Sequence, residues 1–340
     1  MPPQGLLDVG EMDFLHCSIV ARKMPAIESD SVLVVLVCDG GTIPASLTRM
    51  MYTRNFYGHA APVALDWPPL MSLPIKLIST DFDGTLFAEF ENPPVPIALQ
   101  KSIAQLQEKG ARWVINTGRD LSSLLESLGR ARLEIKPDYL VVVEREIYVR
   151  RDSQFVECRE WNRACEEAHR RLFAVVQPDL PRLTSWVRER FNATLYEDIY
   201  SPFCFIAESN ADADAIHQYL NDYCEGMPGL TVVRNDVYAR FSHLDFNKGS
   251  ALGEIARLLK VYRDETFAAG DHYNDLPMLL SRYARWLVAP DNAIDTVKTA
   301  VRRQNGYVSR HLHGHGVADG LEFCLKRAAV LSFVDLVGGR

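Results

Sequence analysis

Four short stretches of this 340-residue chain carry side chains able to bind a metal and a phosphoryl group. The first is Asp81-Phe82-Asp83-Gly84-Thr85-Leu86, directly after the apolar, β-branched run Ile75–Thr80. Side chains two apart on an extended strand share a side, so Asp81 and Asp83 can project together from its carboxyl end. Carboxylates that close repel unless a cation or a shared proton intervenes, and Mg²⁺ with oxygen ligands meets that need. The second is Asn116-Thr117-Gly118-Arg119, where a hydroxyl and backbone N–H groups at a helix start can hold phosphate oxygens. The third is Lys248 in Phe246-Asn247-Lys248-Gly249, opening a helix. The helix dipole disfavours a cation there, a cost that makes sense if the ammonium faces an anion. The fourth is Gly270-Asp271-His272-Tyr273-Asn274-Asp275, whose carboxylates and amide again suit a hard metal.

The elements that must position these stretches are legible as alternating periods. Strands are expected at Ile75–Thr80, Trp113–Asn116, Tyr139–Val143, Thr266–Ala269 and Trp286–Ala289. Between them run helical patterns: Leu99/Ile103/Leu106, Leu121–Leu128, Leu252/Ile255/Leu259 and Ile294/Val297/Val301. Strands alternating with helices predict an α/β fold with a Rossmann-like parallel sheet covered on both faces. The middle differs: a long amphipathic helix at Trp161–Val176, strands at Thr194–Asp198 and Phe203–Ala207, a helix at Ala211–Cys224, and one or two strands in Leu230–Phe241. It reads as an inserted α+β unit over roughly 154–236, leaving 71–153 and 237–340 as the core. Residues 1–70 hold seven of the 18 prolines and no sustained period, so they are expected to be a poorly ordered or weakly packed extension, with Met71 as the native start.

The four stretches, in this order and 36, 131 and 23 residues apart counted at Asp81, Thr117, Lys248 and Asp271, resemble the motifs of the haloacid dehalogenase (HAD) superfamily of phosphohydrolases. The resemblance covers about Leu77 to Leu325. It is narrowest to the branch with a C2-type α+β cap between the second and third motifs (HAD subfamily IIB), which holds Cof-type sugar phosphatases and sucrose-phosphate phosphatases. It implies that Asp81 is the nucleophile and Asp83 the general acid and base. It implies Mg²⁺ held by Asp81, the carbonyl of Asp83 and Asp271, with Asp275 supporting them. Thr117, Gly118, Lys248 and Asn274 would hold the phosphate. Where relatives commonly show an Asn-Gly-Ala turn, this chain has Glu144-Arg145-Glu146, and Arg119 and Arg145 are candidate substrate contacts. Asn116 stands where relatives often carry a small apolar residue. The expected activity is Mg²⁺-dependent hydrolysis of a small phosphorylated metabolite, a sugar or polyol phosphate. A phosphomannomutase-like phosphomutase and a non-catalytic phospho-ligand sensor are the alternatives.

Composition limits other classes. With 37 Lys+Arg against 44 Asp+Glu, the net charge of −7 gives no general basic footprint for nucleic acid. No apolar run reaches the length of a membrane span, and a signal peptide's basic flank is missing, so a cytoplasmic protein binding a small molecule is expected. The seven scattered cysteines form no C-x-x-C pair and are expected to be reduced. His311, His313 and His315 are expected in a polar loop near the cleft, His272 beside the metal without ligating it, and Trp161 and Trp186 in the core.

Overall fold

The computed structural model describes residues 17–23, 32–38, 73–131 and 133–338. In the N-terminal segment, β1 (Cys17–Lys23) and β2 (Val32–Cys38) pair antiparallel; the rest of the predicted extension, Met71 included, lies outside the described residues.

The main body is built on β3 (Leu77–Thr80), α1 (Ile97–Glu108), β4 (Arg112–Asn116), α2 (Leu121–Ala131), β5 (Tyr139–Val142), β6 (Glu146–Arg151) and β7 (Gln154–Glu157). The insert follows as α3 (Arg159–Val176), α4 (Leu180–Arg188), β8 (Ala193–Asp198), β9 (Ser201–Ala207), α5 (Asn210–Glu225), β10 (Leu230–Asn235) and β11 (Tyr238–His243). The chain then returns through α6 (Lys248–Leu259), β12 (Thr266–Ala269), β13 (Trp286–Ala289), α7 (Asp295–Arg303), β14 (Tyr307–Val308) and α8 (His313–Gly338).

One eight-stranded sheet has the order β14-β13-β12-β3-β4-β5-β6-β7. Its first six strands run parallel, β6 runs antiparallel to β5, and β7 antiparallel to β6. Every residue of β3, β12 and β13 is buried, as expected of parallel strands covered on both faces. Strand β3 lies between β4 and β12, with Thr80 opposite Ile115 on one side and Ala269 on the other. The three chemistry-bearing loops therefore leave adjacent carboxyl ends, the place where open α/β sheets bind ligands.

The second sheet, β10-β11-β9-β8, is antiparallel. Alternate residues Ala239 and Phe241 of β11 join Leu183, Phe205 and Ile216 in a separate apolar core, while Tyr238, Arg240 and Ser242 take the opposite face. Trp186 packs in this core, stacked on Tyr219, and Trp161 packs edge-on against Phe246. By strand pairing, β7 is the edge of the large sheet, and β11 lies between β10 and β9 in the small one. The β6–β7 hairpin escapes a periodicity search because its edge position leaves it polar, as Glu146-Ile147-Tyr148-Val149-Arg150-Arg151 illustrates. No helix among the described residues is long and apolar enough to cross a membrane.

Candidate active site

Lys248 is brought to the sheet by its cap. Asn247 accepts from the N–H groups of Gly249 (2.9 Å) and Ser250 (3.0 Å), and Ser250 Oγ accepts from Asn247 N–H (2.9 Å). This capping box fixes Lys248 as the first residue of α6. A Cβ at Gly249 would lie 2.2 Å from the carbonyl of Pro277, so glycine is what lets α6 approach the 273–277 segment. Asn116 Nδ2 donates to the Lys248 carbonyl (2.9 Å), tying the end of β4 to the same turn. That contact gives Asn116 a role that its position in the sequence does not suggest.

The Lys248 side chain is wholly buried and its Nζ lies 2.5 Å from Asp81 Oδ1 and 2.6 Å from Asp275 Oδ1. Asp275 Oδ2 accepts the N–H groups of Asp271 (2.8 Å) and His272 (2.9 Å). Thr85 Oγ1 donates to Asp271 Oδ1 (2.5 Å). One carboxylate oxygen each from Asp81, Asp271 and Asp275 lie within 4.8 Å of one another. Gly84 has φ +76°, which turns the chain after Asp83, and a Cβ there would meet Asp271 Oδ2 at 2.7 Å. The Gly84 carbonyl accepts from Asn292 Nδ2 (2.7 Å) and the His313 ring (2.9 Å). His313 therefore braces the loop from the first turn of α8 instead of sitting in a polar loop, and His315 shares that turn.

Electrostatics of this cluster are lopsided. Burial alone would lower the Lys248 pKa, but Asp275 and Asp81 more than offset it and hold the ammonium above its ordinary range. Burial, then Asp275, pushes the Asp81 carboxyl up. Burial, then Asp275, pushes Asp271 up to about 7. Three carboxylates against one ammonium leave negative charge uncompensated, and an all-oxygen donor set of this kind fits a hard divalent cation. The buried Asn274 Oδ1 has no hydrogen-bond partner, which adds a free oxygen beside the cluster.

A pH dependence follows. Between the ordinary aspartate value of 3.8 and about 7, Asp271 binds a proton in the folded chain that it releases on unfolding. Stability from this group is therefore fully present at low pH and lost as pH rises through 7. In EDTA, the urea midpoint is expected to fall between pH 5 and pH 8, with the slope flattened by added Mg²⁺. A midpoint that climbs over this interval in EDTA contradicts the arrangement.

Asp83 projects beside Asp81 but is held differently. Arg119 grips it through two hydrogen bonds, Nε to Oδ2 and Nη2 to Oδ1, both 2.7 Å. The same guanidinium donates to Ser123 (3.1 Å) and Ser127 (2.9 Å) on α2. The sequence suggests Arg119 as a substrate contact, and the fold also sets it against the Asp83 carboxylate. Thr117 is buried; its N–H donates to the Val141 carbonyl (2.8 Å) and its hydroxyl accepts the Arg119 N–H (3.2 Å). Arg145 turns toward the insert: it donates to the Tyr200 carbonyl (2.8 Å) and lies over the Tyr200 ring. A ring nitrogen of His272 accepts the Asp236 N–H of the insert (3.2 Å).

Glu144 and Arg240 form a pair that nothing in the sequence marks. Glu144 Oε1 accepts from Asn274 Nδ2 (3.1 Å) and lies against Gly118; its Oε2 accepts from Arg240 Nη2 (3.0 Å). Their partnership spans 96 residues and leaves no local signal.

Residues 184–321 match the haloacid dehalogenase-like hydrolase family, a span that takes in Lys248 and the 270–275 loop. The fold is similar to that of the sucrose-phosphatase of Synechocystis sp. PCC6803, solved with sucrose and phosphate (17% identity, TM-score 0.56, 74% of this chain and 98% of that one). It is also similar to a Streptococcus mutans UA159 protein (19% identity, TM-score 0.51, 74% and 99% covered). A haloacid dehalogenase-like hydrolase from B. subtilis is a third (20% identity, TM-score 0.50, 72% and 98% covered). With its α+β insert lying between the Thr117 and Lys248 segments of a parallel-sheet core, the chain shares its fold with these proteins, and its 184–321 segment matches the haloacid dehalogenase-like hydrolases.

Proposed function

We propose that this protein hydrolyses the phosphate monoester of a small metabolite, a sugar or polyol phosphate, through a phosphoryl group carried on Asp81. The observation that carries this reading is the Lys248 ammonium bridging Asp81 and Asp275, with Asp271 close enough to share a cation with Asp81. Asp81, the carbonyl of Asp83 and Asp271 would hold Mg²⁺, which when bound neutralises charge on the phosphoryl oxygens and on the cluster.

The chain's own groups supply the rest. An Asp81 carboxylate oxygen attacks phosphorus as the ester P–O bond breaks, giving an aspartyl-phosphate and the leaving alcohol. Asp83, in its protonated form, gives its proton to the leaving oxygen, exchanging one Arg119 hydrogen bond for that contact while the other keeps it aimed. As a base, Asp83 then takes a proton from the water that attacks phosphorus and frees Asp81. Lys248, the Thr117 hydroxyl, Gly118 N–H and Asn274 hold the phosphoryl oxygens in line. Asp275 fixes Lys248 and, through the N–H groups of Asp271 and His272, the shape of the loop. The insert shields the reacting centre from bulk water. The similarity to the sucrose-phosphatase fold is compatible with a sugar phosphate but does not select one.

The test is phosphate release from a panel of phosphorylated metabolites, with and without chelator. EDTA is expected to suppress release and Mg²⁺ to restore it. Saturating Mg²⁺, at about 100 times its Kd, is also expected to stabilise the fold by about 2.7 kcal/mol. Turnover unaffected by chelation rejects the metal-dependent reading, and no release from any phosphate monoester rejects the hydrolase reading.

A further inference from the structure

We propose that Glu144 is a positioning residue that couples the insert to the phosphate-holding Asn274, with Arg240 as the insert's half of the coupling. The proposal rests on the role given above to Asn274.

The turn after β5 is held in an unfavourable backbone conformation. Val143 has φ +44° and Glu144 φ +68°, values that β-branched and charged residues rarely adopt. Such strain persists where surrounding contacts over-determine it. Here, Val143 N–H donates to the Arg119 carbonyl (2.8 Å), Glu144 N–H to the Thr117 carbonyl (2.9 Å) and Arg145 N–H to the Val142 carbonyl (3.0 Å). The fourth restraint comes from the insert: Arg240 Nη2 donates to the Val143 carbonyl (2.9 Å) as well as to Glu144 Oε2 (3.0 Å). One guanidinium thus holds both the backbone and the side chain of the turn.

The Glu144 carboxylate then has two partners on two sides. Oε2 meets the insert through Arg240, and Oε1 receives the Asn274 amide at 3.1 Å. That bond orients Asn274 so that its own oxygen is left without a partner. Both Glu144 and Arg240 are buried to nineteen parts in twenty, so their bond is shielded from competing water. Arg240 also has a buried Nε with no partner. If Arg240 withdraws with the insert, Glu144 loses one anchor and Asn274 loses its fixed orientation. Phosphate would bind, but the in-line geometry of transfer would loosen.

Steady-state kinetics with p-nitrophenyl phosphate and Mg²⁺ test this. Arg240→Met is expected to lower kcat by about tenfold or more while KM moves by less than about threefold, the split expected of a geometry lost only in the transition state. In an Asn274→Ala background, the same Arg240→Met change is expected to have little further effect, because Arg240 reaches the phosphate only through Glu144 and Asn274. Should Arg240→Met fail to fold, Glu144→Gln combined with Arg240→Met removes both charges of the pair together and is expected to show the same kcat loss. An unchanged kcat, or losses that multiply in the Asn274→Ala background, overturns the coupling. If Asp81→Asn is inactive while Arg240→Met is fully active, only this coupling fails. If Asp81→Asn is active, the hydrolase mechanism itself fails.

Discussion

Asp81→Asn is expected to lower phosphate release by on the order of 10⁴-fold or more, since it removes the atom that attacks phosphorus. The substitution is nearly isosteric, and its Oδ1 can still accept from Lys248, so the fold should survive. It also removes one of three crowded carboxylates, each of which is held in place against burial and mutual repulsion. The cation-free variant is therefore expected to melt no lower than the wild type, and higher if repulsion dominates, a pattern of stability gained where function is lost. Thermal melts in EDTA beside phosphate-release assays check both halves. Near-normal turnover by this variant would falsify the assignment of Asp81.

Lys248→Met is expected to damage both fold and activity. Among the described residues the side chain is the sole ammonium between Asp81 and Asp275, and none of it reaches solvent. Removing one partner of a buried charge network strands the others, at a typical cost of about 3–5 kcal/mol. Methionine nearly preserves the volume, so the loss reports charge more than packing. Because the stranded charges are negative, divalent cation should recover part of the stability, and Mg²⁺ is expected to raise the melting temperature of the variant more than that of the wild type. Activity should remain depressed with Mg²⁺ present, because the phosphoryl oxygens still lack their ammonium. Equal Mg²⁺ shifts in the two proteins, or wild-type turnover, contradict the role of Lys248.

Residues whose chemistry depends on local sequence were the readable ones. Asp81 and Asp83 two apart behind an apolar strand announce a shared direction, and parallel neighbours β4 and β12 place the other loops beside them. Lys248 was readable only as an oddity of charge at a helix start. Its burial between two carboxylates depends on the 167-residue and 27-residue separations that folding closes. Arg119 is legible as a cation in a phosphate-binding stretch, but its grip on Asp83, 36 residues away, leaves no local signal. Glu144 was visible only as a departure from a familiar turn. Its meaning lies in Arg240 and Asn274, neither of which is near it along the chain. His313 was hidden because helix α8 starts on Gly-rich sequence with no ordinary cap. Residues that bridge distant segments leave no period or spacing by which to find them.

The most direct measurement is to catch the phosphoryl group on the protein. Enzyme mixed with excess phosphate ester and Mg²⁺ is quenched during turnover, reduced with borohydride and digested for peptide mass spectrometry. Reduction of an aspartyl-phosphate converts that residue to homoserine. Assignment of the nucleophile to Asp81 requires homoserine at position 81, absent from Asp81→Asn and from samples held in EDTA. Homoserine at Asp83, Asp271 or Asp275 instead, or none at any aspartate while phosphate is being released, would contradict it.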